Sequence, residues 1–76
     1  MEDKRIKKKV LTPREIEVMH LLIKGCHNSE IAQKLCISEH TTKAHISSIL
    51  EKMHVSNRIQ AIVRYLQEKN KIDILD

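Results

Sequence analysis

Two apolar stripes at helical spacing, Ile31, Ala32 and Leu35, then Ile46, Ile49, Leu50 and Met53, are separated by a single tight connection, Cys36-Ile37-Ser38. So short a link forces the two helices to pack as a close pair. Asn28 is the expected cap of the first, which spans about Ser29 to Leu35, and Ser38 caps the second. The rest of the chain is punctuated in the same way. In "LTPREI", Thr12 and Glu15 have the spacing of a capping box, Pro13 takes the first helical position, and Leu11 and Ile16 can close a hydrophobic staple. That helix carries Val18, Met19 and Leu22 inward, flanked by Ile16, Leu21 and Ile23, and Gly25 supplies the left-handed residue that ends it. Past "HVSN", with Ser56 or Asn57 as cap, a fourth helix runs to about Lys69, and "NKIDILD" is left without an assigned element. With one Gly and one Pro in 76 residues, the chain lacks the turns an all-β fold needs. The expected class is all-α, with four helices.

The boundaries follow from charge and pattern. Residues 1–10 form a basic arm or linker, since Lys4, Arg5, Lys7, Lys8 and Lys9 outweigh Glu2 and Asp3. Residues 11–70 form the one domain, and 71–76 a C-terminal tail. A domain this size buries only about 60% of its unfolded surface, so its stability margin is thin. The formal net charge of +4 suits a polyanionic partner, although most of the excess lies in the arm. Cys26 and Cys36 are too few for a disulfide framework and read as packed thiols in a reducing, cytoplasmic setting. No apolar run is long enough to span a bilayer and no signal-peptide pattern opens the chain, so no membrane association is expected.

A short helix, a tight turn and a longer second helix is the helix-turn-helix arrangement, whose second helix enters the major groove of DNA. The face of "SEHTTKAHISSIL" opposite its apolar stripe fits that use. It offers His40, Thr41, Ala44, Ser47 and Ser48, with Glu51 in the same phase, Lys43 on one shoulder and His45 and Lys52 on the other. Small side chains permit close approach, hydroxyls can donate to phosphates, and Lys or His can reach base edges.

The segments "LTPREIEVMHLLIKG", "NSEIAQKL", "TTKAHISSIL", "KMHV" and "NRIQA", in this order and spacing, resemble the LuxR-type (NarL- or GerE-type) helix-turn-helix domain of bacterial transcription regulators. The resemblance covers Leu11 to about Leu66. It implies a four-helix domain that binds double-stranded DNA as a dimer, either as a regulator or as the effector domain of a response regulator. The base-reading set it suggests is Lys43, Ala44 and Ser47, to which the outward face adds His40. The phosphate set is Asn28, Thr41, Thr42 and His45, to which the same face adds Ser48. Thr42 stands where the family usually has Val, His27 where a capping Ser is frequent, and Ser47 where some members have Lys.

Helix four carries two apolar sides. Ala61, Ile62 and Tyr65 make an inner stripe, and Ile59, Val63 and Leu66 a second one, assigned to a twofold homodimer contact. Glu15 falls on the inward side of helix one, where a carboxylate needs a cation or donors. Lys52 and Arg58 are the candidates, and this pairing competes with the cap. Five histidines and two cysteines raise the question of zinc, through Cys36 and His40 joined by Cys26 and His27. No paired ligands stand at fixed short spacing, so neither metal nor cofactor is expected. There is no glycine-rich phosphate loop and no nucleophile–base pair, so an enzyme is not expected either. RNA polymerase is a further candidate partner. Two other readings share the helix pair: a helical protein-interaction module, and a promoter-recognition domain of sigma-factor type.

Overall fold

The computed structural model describes residues 10–75, with side chains described over 10–69. Residues 1–9 of the expected basic arm and the final residue of the expected tail lie outside the described residues. Four helices follow one another: α1 (Pro13–Ile23), α2 (Asn28–Leu35), α3 (Glu39–Met53) and α4 (Arg58–Leu75). α4 continues past the expected stop near Lys69; the sequence there holds no Gly or Pro to end it.

The helix starts are set by local side chains. Thr12 Oγ1 accepts from the Glu15 backbone N–H at 3.1 Å while Glu15 Oε1 accepts from the Thr12 N–H at 2.9 Å, which completes the expected capping box. Ser38 Oγ accepts from the Thr41 N–H at 2.9 Å, and Asn57 Oδ1 from the Gln60 N–H at 2.9 Å. At α2 the expectation is corrected. The N-cap residue is His27, and Asn28 is already inside the helix. Glu30 Oε1 closes that end by accepting from the His27 N–H at 2.7 Å.

The first three helices end alike. Gly25 (φ 88°), Cys36 (φ 59°) and His54 (φ 58°) adopt the left-handed conformation. In each case the next residue's N–H reaches back to the helix: Cys26 to Leu21 O at 3.0 Å, Ile37 to Ala32 O at 2.9 Å, Val55 to Leu50 O at 3.0 Å. These are Schellman closures, which satisfy the last carbonyls and reverse the chain sharply. Only Gly25 advertises this in the sequence. Cys36 is exposed and not the packed thiol expected, because it occupies the reversal itself; Cys26 is half-buried against the core.

Val18, Met19 and Leu22 of α1, Ile31 of α2, Ile46 and Ile49 of α3 and Ala61 of α4 make one buried cluster. α3 runs through its centre and packs on α1, α2 and α4. Its own C-terminus is met by Arg64 of α4, whose Nη1 donates to Met53 O at 3.0 Å, a cation at the negative end of the helix. The helix that carries the outward polar face is thus held at both ends and along its inner side.

Candidate nucleic-acid interface

α3 has two unlike sides. Thr42, Ile46 and Ile49 are buried, whereas His40, Lys43, Ala44 and Ser47 are exposed together on the opposite side. Thr41 and His45 are half-buried at its margins. Thr41 Oγ1 accepts from Ser38 Oγ at 3.0 Å, which leaves its own hydroxyl proton free to donate outward. Between His40 and Lys43 at one end of this face and the exposed Glu51 a turn beyond Ser47, only Ala44 and Ser47 intervene, so a neighbouring surface can approach the helix backbone closely there.

Two residues assigned to phosphates are corrected by their surroundings. Thr42 is fully buried, and its hydroxyl donates to Ser38 O at 3.0 Å. The hydroxyl is thus satisfied one turn back along its own helix, and Thr42 sits in the core without an unpaired polar group. Ser48 is drawn the other way, for its Oγ donates to Glu15 Oε2 at 2.6 Å. Neither hydroxyl is presented to a ligand.

Glu15 itself is buried and answers the competition raised by the sequence with both oxygens. Oε1 accepts from the Thr12 N–H and from Lys52 Nζ at 2.8 Å, and Oε2 takes Ser48. The cap and the ion pair coexist. Burial pushes this carboxyl up, but the hydrogen bonds from Lys52, Ser48 and the Thr12 backbone, together with the Lys52 charge, outweigh it. The net result is a carboxyl lowered from 4.5 to about 2. Lys52 is consequently turned inward, away from the polar face. Arg58, the other candidate for Glu15, is spent elsewhere, donating through Nη2 to Asn28 Oδ1 at 2.8 Å. That tie joins the first turn of α4 to the first turn of α2 and had no signal in the sequence.

On α4, Ala61 is buried and Ile62 and Tyr65 are half-buried against the core, as the inner stripe requires. The second stripe stands clear: Ile59 is 69% exposed, Val63 48% and Leu66 40%. Among the described residues no group of three His, Cys, Asp or Glu is gathered as a metal would need, and no helix is long and apolar enough to cross a membrane.

Comparison with known proteins agrees with this architecture. Residues 9–65 match the family described as "Bacterial regulatory proteins, luxR family". The nitrate/nitrite response regulator protein NarP of Escherichia coli is 45% identical over 60 residues, covering 79% of this chain and 28% of NarP. The chain spans less than a third of that curated relative. Among solved structures, the transcription factor GerE superposes with a TM-score of 0.75 at 39% identity, covering 80% of this chain and 91% of GerE. The response regulator ChrA of a heme-sensing two-component system gives 0.78 at 40% identity, over 83% of this chain and 31% of ChrA. The chain belongs to the LuxR family of bacterial regulatory proteins, as a four-helix, helix-turn-helix DNA-binding domain of transcription regulators and not as an enzyme.

Proposed function

We propose that the chain binds specific double-stranded DNA sequences as a homodimer, with α3 lying in the major groove and regulating transcription in the bacterial cytoplasm. The observation that carries this reading is the clean division of α3. One side is fixed in the core, and the other gathers His40, Lys43, Ala44 and Ser47 in the open. Lys43 and His40 have the length to reach base edges, while Ala44 and Ser47 set how closely the helix can approach. Thr41 and His45 flank this face and, with Asn28 at the start of α2, would supply donors for phosphates. RNA polymerase is the partner such a regulator would engage at a promoter.

Lys43→Ala is expected to weaken binding to the selected site by about 1–3 kcal/mol. Fluorescence anisotropy with a labelled duplex reads this directly; an unchanged affinity removes Lys43 from the reading set. A protein-docking module would bind its partner with little response to salt, whereas phosphate contacts make DNA affinity fall steeply as salt rises.

The exposed Ile59, Val63 and Leu66 support a twofold contact through α4, which would set two α3 helices about 34 Å apart on successive half-sites. Ile59→Glu is expected to shift the sedimenting species toward monomer at high protein concentration. Identical masses for the two proteins would exclude this stripe as the contact.

A further inference from the structure

Asn28 and Arg58 lie 30 positions apart in sequence, each at the first residue of its helix, and meet through a part-buried hydrogen bond of 2.8 Å from Arg58 Nη2 to Asn28 Oδ1. The chemistry of the pair fixes the side-chain amide. Arginine carries only donors, so the atom facing it has to be the carbonyl oxygen. The –NH₂ half of the same planar group is then turned away from the guanidinium, at the N-terminal end of α2. Unheld, this amide would rotate freely between two orientations, one of which presents an acceptor and repels an anion. Held, it presents only a donor, at a helix start where Glu30 Oε1 takes the His27 N–H.

We propose that Arg58 is a positioning residue for DNA binding: it locks Asn28 with its Nδ2 donor toward the phosphate backbone without contacting the DNA itself. This rests on the DNA-binding reading above and adds to it a residue of α4, the helix that also carries the exposed apolar stripe. The consequence is that one side chain ties the first turn of α4 to the first turn of α2, where a phosphate would be met.

The test uses the whole chain and a labelled mixed-sequence duplex of about 30 base pairs at low salt, where phosphate contacts dominate. Asn28→Ala, Arg58→Met and the double variant form a cycle, read as DNA affinity and, in parallel, as urea stability. Arg58→Met should weaken binding about five- to tenfold in the native background and less than twofold when Asn28 is already Ala. Because an amide is neutral, the slope of log affinity against log salt should stay unchanged in Arg58→Met. A guanidinium that met a phosphate itself would lower that slope by about 0.9. Asn28→Asp keeps an acceptor for Arg58 and suits a helix N-terminus, so the domain should remain fully folded while DNA binding drops more than tenfold. Equal losses from Arg58→Met in both backgrounds, a reduced salt slope, or unimpaired binding by Asn28→Asp would each overturn the proposal. If the native chain itself fails to bind the duplex at low salt, the DNA-binding reading falls, and this inference with it.

Discussion

Glu15→Gln should lower the stability of the domain by about 3 kcal/mol at neutral pH and by almost nothing near pH 2. Glu15 is buried and its two oxygens serve three donors, from Thr12, Ser48 and Lys52. A neutral amide can accept from some of these but cannot balance the Lys52 ammonium, whose side chain is only 22% exposed. Removing one member of such a pair leaves an under-compensated charge, the costly half of a buried ion pair. The sign of the pH effect follows from the lowered carboxyl. In the unfolded chain Glu15 titrates near its ordinary 4.5, and in the folded chain at about 2. Its contribution is therefore complete above the unfolded value and is lost as pH falls through the folded one. Urea unfolding of both proteins across this range checks the prediction, since other carboxyls cancel in the difference. A gap between the proteins that does not narrow with acid would mean that Glu15 acts through shape and not through charge. With net stabilities of small domains around 5 kcal/mol, a loss of this size is felt at once in the folded population.

The second large effect concerns binding. Ala44→Glu should reduce DNA affinity at least a hundredfold, because it sets a carboxylate on the exposed centre of α3, the face proposed to meet phosphates and base acceptors. Like-charge placement in a contact costs several kcal/mol. The fold should be untouched, since Glu is a good helix former and position 44 faces solvent. Circular dichroism and urea stability equal to those of the native chain, together with lost anisotropy, is the expected pair of results. Native affinity in Ala44→Glu would remove this face from the contact.

What the sequence discloses and what it conceals divide by range. The Thr12–Glu15 box, the Ser38 cap and the turn at Gly25 depend on residues three or four apart, and each stands as the local pattern implies. The two stripes of α4 separate as their phases require, with Ala61 inside and Ile59 outside. Helical phase alone sets Ser48 outward, whereas the phosphate role of Thr42 comes from the family resemblance and runs against its phase, which it shares with the buried Ile46 and Ile49. Ser48 is turned inward by a particular acceptor, Glu15 of α1, and the Thr42 hydroxyl is satisfied within the core by Ser38 O. Periodicity carries no record of such a partner. The same holds for Arg58, assigned to Glu15 by charge yet bonded to Asn28, and for the left-handed Cys36 and His54, which no glycine announces. His27 in the cap position shows the converse limit: there Glu30 closes the helix start, so the cap residue need not be a strong one itself.

The central claim, that the outward side of α3 meets DNA in the major groove, is tested most directly by titrating the ¹⁵N-labelled chain with a duplex enriched from random sequences. The account predicts that the largest amide shifts fall over residues 38–47, with lesser ones at the start of α2. If those signals stay in place while the protein binds, or if the shifts concentrate on the outer surface of α1, the account is contradicted.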